Sequence, residues 1–465
     1  MGLVAGVDSS TQSVKVVVLD ADTGTLVRQT RAPHPDGTEI DPTLWWSALD
    51  SVLGDVLEGV HAVSIAGQQH GMVVLDEDDH VIRPALLWND TRSAPDASDL
   101  IAELGGSQAW AQAVGSVPVA SLTVTKIRWL ARVEPQLAAR VARLMLPHDY
   151  LTWRLSGAQG DPSTDRGDAS GTGYWSPSTG EYRRDLVELA LGHVPGLPRV
   201  ASPAEPVGTA PGGLLIGPGT GDNMAAALAL DLQPGDIVIS LGTSGTAFAR
   251  TGSPVADGTG YVAGFADATG EFLPLACTLN AARVLSAAAR LVSADLDELG
   301  RLAMRAPAGS QGLTLLPYLD GERTPNLPDA RGSLMGITRE NLTRENLARS
   351  AIEGMLLGLA DAVDALRDVG VSQQRVLLIG GAAANEAVAQ IARTIFSVPV
   401  HVPPIGEYVA EGAARQAAWM LSEERTPPRW SARAVDARRV LDPIAGSAAR
   451  EQYTAATAQV YGLPR

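Results

Sequence analysis

Residues 3–19 read LVAGVDSSTQSVKVVVL, and this stretch decides the fold that the sequence predicts. Leu3 to Val7 is apolar, Asp8 to Ser13 is small and rich in hydroxyl groups, and Val14 to Leu19 is apolar again. Two apolar runs joined by a short polar turn are typical of a β-hairpin. Such a turn exposes backbone N–H groups and hydroxyls, which can hold a phosphate without a net positive charge. The alternative is an ordinary hairpin whose turn favours aspartate.

The same pattern returns in the second half of the chain. Asp236 to Ala249 reads DIVISLGTSGTAFA, which is again two apolar runs around a small, hydroxyl-bearing turn. Before it, 13 of the 27 residues from Pro195 to Gly221 are glycine or proline, the sharpest shift of composition in the chain. The repeat and the shift predict two related α/β lobes, 1–221 and 222–465, each opening on a hairpin of phosphate size.

Composition excludes several classes of protein. The 465 residues favour two or three domains. The net charge is −16, whereas a protein that binds duplex nucleic acid normally carries an excess of basic residues. The single cysteine, Cys277, excludes an internal disulfide framework and a cysteine-based zinc finger. Neither a secretory signal nor an apolar run of ~20 residues is present, so we expect a cytoplasmic protein without membrane contact.

A long helix is predicted in the second half. Apolar residues between Leu347 and Leu366 recur at helical spacing, with Thr343 as a candidate N-cap and Gly370 at the C-terminal end. Gly354 and Gly358 lie four residues apart on this helix. We expect another backbone to pack closely against both glycines.

Polar residues follow several predicted strands. His61 to Ala66 leads into Gly67 to Gly71, which reads GQQHG, and Trp88 to Asp90 has a similar mixture of aromatic and polar groups. These groups favour a sugar or polyol pocket, although a lone histidine is more often structural. Val376 to Ile379 leads into residues 380–385, GGAAAN, a strand-to-helix turn of the kind that binds anions or nucleotides.

Asp222 lies between a glycine-rich turn and a predicted helix. Residues 219–223 read GTGDN, and Met224 to Leu230 is rich in alanine. An aspartate at such a junction is often an N-cap. The alternative is a carboxylate placed to accept a hydroxyl proton, and the residues alone leave both interpretations open.

The order of these motifs resembles the FGGY family of carbohydrate kinases. The matching motifs are Gly6–Asp8, Gly67–Gly71, Leu87–Asp90, Gly221–Asn223, Leu241–Gly245, Gly321–Pro325 and Ile379–Gly381. Ser121 to Leu130 and Gly332 to Glu353 resemble the two signature patterns of the family. The resemblance spans nearly the whole chain, and the loops are most similar to those of members that phosphorylate D-xylulose.

The resemblance implies a two-lobed, actin-like ATPase (ribonuclease H-like) α/β fold with a central cleft. The sugar would lie mainly on the first lobe and ATP mainly on the second. The implied reaction is the ATP-dependent phosphorylation of D-xylulose to D-xylulose 5-phosphate, with Mg²⁺ as cofactor. The alternatives are a kinase of another ketopentose or polyol, as in ribulokinases, and a non-catalytic sugar sensor. Members of the family are often homodimers, so a homodimer is the implied assembly.

The resemblance also implies a role for each site residue. Asp222 would accept the proton of the C5 hydroxyl, and Asp8 would hold Mg²⁺ and organise the γ-phosphate. The residues that would bind the ketose are Gln69, His70, Gly71, Trp88, Asn89, Asp90 and Asn223. The residues that would bind ATP are Ser10, Thr11, Gln12, Ser13, Lys15, Gly242, Thr243, Ser244, Gly245, Gly380, Gly381 and Asn385.

Overall fold

The structure is a computed structural model that describes residues 2–430, 439–444 and 448–463. Contacts divide the chain into two compact units. The first comprises Met1–Leu232, Thr251–Leu273 and Gly406–Val435, and the second comprises Gln233–Arg250, Pro274–Ile405 and Asp436–Arg465. Three segments of the first unit thus come from the part of the chain that the sequence analysis assigns to the second lobe. The lobe boundary after Gly221 stays a prediction.

The first unit contains a large mixed sheet and several short strand pairs. Its strands are Leu3–Ser9, Ser13–Asp20, Leu26–Pro33, Glu39–Ile40, Val60–Gly67, Val73–Leu75, Ala85–Leu86, Arg143–Met145, Ser163–Thr164, Trp175–Ser176, Glu181–Tyr182, Arg199–Val200, Gly208–Ala210, Leu214–Ile216, Thr220–Gly221 and Ala263–Ala266. Its helices are Pro42–Leu53, Ala94–Glu103, Ser107–Val114, Thr123–Val133, Pro135–Ala138, Pro147–Leu155, Arg166–Ser170, Arg184–Leu191, Asp222–Ala229 and Tyr408–Ser422.

The hairpin predicted at the N-terminus is confirmed and forms the middle of the large sheet. Leu3–Ser9 pairs antiparallel with Ser13–Asp20 and parallel with Val60–Gly67. Thr220–Gly221 continues the parallel arrangement on the other side of Val60–Gly67. The glycine- and proline-rich stretch before Asp222 therefore contributes strands to this sheet, because the small residues allow short strands and tight turns to alternate.

The helix Tyr408–Ser422 explains why a late segment of the chain joins the first unit. A Cβ atom on Gly6 would lie 1.9 Å from the carbonyl oxygen of Ala410, and one on Gly412 would lie 1.9 Å from that of Ala225. The glycines thus let the helix pack directly on the strand Leu3–Ser9 and on the helix Asp222–Ala229. This packing fixes the helix that carries Asp222 relative to the strand that carries Asp8.

The second unit is built on another mixed sheet. Its strands are Asp236–Leu241, Gly245–Ala249, Phe272–Thr278 (of which the first two residues belong to the first unit), Thr314–Leu316, Ser333–Met335, Arg375–Ile379, Val400–Val402 and Arg439–Leu441. Its helices are Ala282–Leu291, Leu296–Arg305, Arg344–Asp368, Glu386–Ala392 and Ala449–Tyr461. Short 3₁₀ turns lie at Asp55–Leu57 in the first unit and at Ser310–Gly312 and Gly381–Ala384 in the second.

The second predicted hairpin and the long helix are confirmed. Asp236–Leu241 pairs antiparallel with Gly245–Ala249. The N-cap of the helix Arg344–Asp368 is Thr343, whose side chain accepts a hydrogen bond from the Asn346 N–H.

The two helix glycines differ. A Cβ on Gly354 would meet the carbonyl oxygen of Leu315 at 2.3 Å, so the expected close backbone contact is confirmed there. At Gly358 the expectation is wrong, because the nearest neighbour of a Cβ would be the Tyr453 hydroxyl, at the ordinary contact distance of 3.6 Å.

Both units therefore have the mixed α/β character that the sequence predicts. In the described part of the chain, no helix is both long enough and apolar enough to cross a bilayer.

Candidate active site

Adjacent parallel strands in the first unit deliver polar residues to one edge of the sheet. Ser9 lies opposite Gly67, and Gly67 lies opposite Gly221, so the carboxyl ends of these strands are level with one another. Asp8 lies at the end of one strand, and Asp222 directly follows another. Ligands in α/β sheets bind outside the carboxyl ends of parallel strands, so this edge is the candidate site.

Asp222 is the first residue of its helix, and the cap position is Gly221. Its Oδ1 atom accepts hydrogen bonds from the backbone N–H of Asn223 at 2.7 Å and from Nδ2 of Asn223 at 2.8 Å. Burial of the carboxyl group, together with the negative charge of Asp8, raises the pKa of Asp222 to about 7. A carboxylate with a pKa near neutrality has the acid–base character of a general base.

Asp8 is a buried carboxylate beside the only lysine of the hairpin. It is 3% exposed and accepts a hydrogen bond from the Ser10 hydroxyl. Lys15 Nζ lies 3.9 Å from Asp8 Oδ2 and 2.6 Å from Glu407 Oε2. Burial raises the pKa of Asp8 to about 6. The negative charge of Asp8 also acts on Asp222, as the raised pKa of Asp222 shows. A buried carboxylate oxygen is a suitable ligand for a hard divalent cation, so the residues present fit Mg²⁺.

The turn of the first hairpin is held by contacts on both sides. The Ser10 N–H donates to the Ser13 carbonyl at 3.0 Å, and the Gln12 carbonyl accepts from the backbone of His34 at 2.8 Å. The Thr11 hydroxyl accepts from Trp88 Nε1 at 3.0 Å. Thr11, which the sequence analysis assigns to ATP, therefore lies against Trp88, which it assigns to the ketose.

The segment that follows Gly67 places an amide and an imidazole beside the helix of Asp222. Gln69 Oε1 accepts a hydrogen bond from Asn223 Nδ2 at 3.2 Å. His70 has a φ of +69°, which is uncommon for a residue other than glycine and typical of a functional turn. The His70 Nδ1 atom donates to the Gly171 carbonyl at 2.7 Å, so Nδ1 carries a proton.

Gly71 and the Trp88–Asp90 segment border the same region in different ways. A Cβ on Gly71 would come within 2.5 Å of the Pro147 ring, so a larger residue does not fit there. Trp88 is half-buried and Asn89 is exposed. The Asp90 carboxylate accepts hydrogen bonds from Thr38 Oγ1 at 2.8 Å and from Arg92 Nε at 2.9 Å. These two partners hold the Asp90 side chain in place.

In the second unit, the two predicted nucleotide turns are neighbours. Ser240 lies opposite Ile379 in a parallel pair, so the turn of residues 242–245 and the turn at Gly380 and Gly381 leave the same edge of the sheet. Gly242, Thr243 and Gly381 are exposed, Ser244 is partly exposed and Gly245 is buried. A Cβ on Gly380 would lie 2.7 Å from the carbonyl oxygen of Leu241, so only glycine allows the two turns to approach this closely.

Both ends of the Asn385 amide have partners within the second unit. Oδ1 accepts from the backbone of Ala387 at 2.9 Å and caps the helix Glu386–Ala392, while Nδ2 donates to the Leu296 carbonyl at 3.0 Å. Contact with adenosine therefore remains a proposal for Asn385, since these bonds give the side chain a structural role of its own.

Sequence reasoning missed a buried network that supports the turn of residues 242–245. Glu322 is 3% exposed, and its carboxylate accepts from the Leu279 N–H at 2.6 Å and from Asn280 Nδ2 at 2.9 Å. Next along the chain, the Ala282 N–H donates to the Gly242 carbonyl at 2.9 Å. The Pro317–Pro325 loop thus braces the segment on which the turn rests. The Gly321–Pro325 motif is visible in the sequence, but the sequence does not show that Glu322 is buried or what it contacts.

Comparison with known proteins identifies the family of the chain. Residues 3–224 match the N-terminal domain, and residues 237–421 the C-terminal domain, of the FGGY family of carbohydrate kinases. The xylulose kinase of Streptomyces coelicolor is 47% identical over 438 residues, which cover 91% of this chain and 89% of that protein. The xylulose kinase of Streptomyces rubiginosus is 48% identical over 442 residues, with coverage of 91% and 89%.

A solved structure shows the same fold. The crystal structure of xylulose kinase from Bifidobacterium adolescentis aligns with a TM-score of 0.89 and 45% identity, covering 98% of this chain and 99% of that one. The α/β fold with a sheet in each of two domains, expected from the resemblance, is confirmed. Together the two domain matches cover most of the sequence, and the chain belongs to the FGGY family of carbohydrate kinases.

Proposed function

We propose that the protein transfers the γ-phosphoryl group of ATP to the C5 hydroxyl of D-xylulose, giving D-xylulose 5-phosphate and ADP. The observation that carries the proposal is that two carboxylates, Asp222 and Asp8, lie at the same sheet edge as Gln69 and His70. Relatives named xylulose kinase at 47% and 48% identity support the choice of D-xylulose.

The chemistry asks the protein for alignment and one base. The C5 oxygen attacks the γ-phosphorus while its proton passes to the carboxylate of Asp222, and the bond to the β–γ bridging oxygen breaks to release ADP. Asn223 donates to the same carboxylate and so keeps one oxygen fixed while the other remains for the hydroxyl. His70 and Gln69 would orient the ketose, since the hydrogen bonds of Gly171 and Asn223 fix both side chains.

Asp8 would hold Mg²⁺, and the ion would offset negative charge on the phosphates of ATP. Lys15 adds a positive charge 3.9 Å from Asp8 in a protein whose net charge is −16. The turn of residues 242–245 would bind phosphate oxygens through exposed N–H and hydroxyl groups. Gly380 and Gly381, with Asn385 behind them, would border the adenosine.

Removing the imidazole of His70 should weaken ketose binding and leave ATP binding nearly unchanged. A buried hydroxyl left without its partner costs about 1–3 kcal/mol. Calorimetry on His70→Ala with D-xylulose and with ATP measures both affinities. His193→Ala is the matched control, because the His193 ring also bonds to a backbone carbonyl, that of Val141 at 2.9 Å. Loss of ATP affinity with unchanged ketose affinity would refute the assignment of His70.

The rate should fall on the acid side at an unusually high pH. Asp222 must be ionised to accept a proton, and its pKa is raised to about 7. We therefore expect kcat/KM for D-xylulose to decrease about tenfold per pH unit below pH ~7 and to level off above it. A pH–rate profile with the coupling enzymes in excess checks this. A profile that stays flat down to pH ~4 would show that a carboxyl of ordinary acidity, or none, carries the proton.

The proposed substrate is tested by ADP release over a panel of acceptors. D-xylulose, D-ribulose, L-ribulose, glycerol and gluconate are compared at equal concentration with MgATP. We expect D-xylulose to give the highest kcat/KM. A higher value for a ribulose or for glycerol would assign the protein to another substrate of the family, and release of ADP with none of them would favour a sensor.

A further inference from the structure

A histidine and three aspartates form a fully buried cluster behind the candidate site. The His148 cluster consists of His148, Asp149, Asp165 and Asp168, each at most 2% exposed. His148 Nδ1 donates to Asp168 Oδ2 at 2.7 Å, and its Nε2 lies 3.3 Å from Asp149 Oδ1. Burial alone would lower the pKa of His148, but the surrounding carboxylates outweigh it and raise the pKa, which favours the protonated ring.

The His148 cluster touches the segment that leads to Asp222. Asp165 Oδ2 accepts a hydrogen bond from the Thr220 hydroxyl at 2.8 Å, two residues before the proposed base. The His148 ring also lies directly against Gly219, where a Cβ would approach its Cδ2 atom to 2.5 Å. The imidazole and the Asp165 carboxylate therefore hold residues 219–220 in addition to the sheet pairing of Thr220–Gly221 with Val60–Gly67.

The same cluster reaches His70 through a short helix. Asp165 caps Arg166–Ser170, with its side chain accepting from the N–H groups of Gly167 and Asp168. Directly after this helix, the Gly171 carbonyl bonds to His70 Nδ1 at 2.7 Å. The helix is held at its start by Asp165 and in its middle by the bond from His148 to Asp168. One buried segment thus contacts both the strand before Asp222 and the ring of His70.

We propose that His148, Asp165 and Asp168 are positioning residues that set the placement of the Asp222 carboxylate relative to the His70 ring. Replacing a buried ionic cluster by well-packed apolar side chains is often neutral or stabilising, so fold stability alone is weak grounds for its presence. Its directed hydrogen bonds supply what apolar packing lacks, a fixed position for both segments. The proposal rests on the proposed function, because it assumes that Asp222 and His70 act on one substrate.

Thr220→Val tests the link to Asp222 with little change of shape. The variant loses the hydroxyl that bonds to Asp165, and a displacement of about 1 Å at a reacting group can cost ~10²-fold in rate. We expect kcat for D-xylulose to fall by about that factor, with KM for ATP unchanged, and Thr220→Ser to restore most of the rate. Thr457→Val is the control, since Thr457 is also buried and donates to the Thr454 carbonyl in the second unit.

His148→Asn tests the link to both segments. The asparagine can keep a donor near the position of Nδ1 but removes the positive charge and the ring that rests on Gly219. We expect kcat to fall and KM for D-xylulose to rise. Normal kcat and KM in Thr220→Val and His148→Asn, with only a lower melting temperature, would overturn the proposal and leave a structural cluster.

Crystal structures of the two variants separate this proposal from the proposed function. If the wild type releases no ADP with D-xylulose, the proposed function fails, and the positions of Asp222 and His70 still decide the inference. A shift of either side chain relative to the wild type supports it. Unchanged positions of both in both variants would overturn it.

Discussion

Replacing Asp222 with asparagine is expected to lower the turnover of D-xylulose by ~10²–10⁴-fold. The amide cannot accept the hydroxyl proton, but it has nearly the shape of the carboxylate and can still accept from the Asn223 N–H. Fold and D-xylulose binding should therefore persist. Melting temperature, ketose calorimetry and coupled ADP release measure the three quantities on the same sample.

Asp41→Asn provides the matched control for this substitution. Asp41 caps the helix Pro42–Leu53 and accepts from the Thr43 N–H at 2.9 Å, and asparagine caps helices about as well as aspartate. Turnover in this variant should equal that of the wild type. Wild-type turnover in Asp222→Asn as well would leave the mechanism without its base.

Replacing Asp8 with asparagine should also cost turnover far more than sugar binding. A metal ion that offsets phosphate charge can supply several kcal/mol at the transition state, and about 4 kcal/mol corresponds to a rate factor of ~10³. The residual activity should require a higher Mg²⁺ concentration, because the ion has lost a buried anionic ligand. A titration of turnover against free Mg²⁺, with chelator as the zero point, measures this requirement.

Asp20→Asn controls for the loss of a negative charge from the same hairpin. Asp20 lies at the far end of the paired strands, where its side chain accepts from the backbone of Thr23 at 2.8 Å. Its Mg²⁺ titration should match the wild type. Full turnover of Asp8→Asn in excess chelator would contradict the role assigned to Asp8.

The sequence predicts the local frame of the candidate site well, because that frame depends on local patterns. The apolar runs around Asp8 and the apolar run that ends at Ile379 identify strands whose carboxyl ends lead into polar or glycine-rich turns. Glycine at 380 is predictable as a tight turn. What the pattern does not show is which of these ends are neighbours in the sheet, since pairing depends on residues far apart in the chain.

The side chains that support the site are hidden for the same reason. His148, Asp165 and Thr220 belong to separate segments, and each by itself resembles an ordinary polar residue near a helix end. The contacts among these residues are visible only in the folded structure, where Thr220–Gly221 pairs with Val60–Gly67. Likewise, Asp222 is compatible with an N-cap in the sequence, and it is the placement of Gly221 at the cap position that removes this interpretation.

The division into units shows a further limit of linear patterns. The helix Tyr408–Ser422 comes directly after the strand Val400–Val402 of the second sheet, and its small residues give no sign of a particular partner. Its place in the first unit depends on glycines at positions 6 and 412, which allow backbone contact with a strand and a helix from the first half of the chain.

Identification of the product tests the central claim most directly. Purified protein is incubated with MgATP and D-xylulose, and the product is analysed by phosphorus–proton correlation NMR, which reports the carbon that carries the phosphate. We expect D-xylulose 5-phosphate in amounts equal to the ADP released, and none from Asp222→Asn over the same time. A phosphate on another carbon, or ADP release without a phosphorylated ketose, would contradict the account.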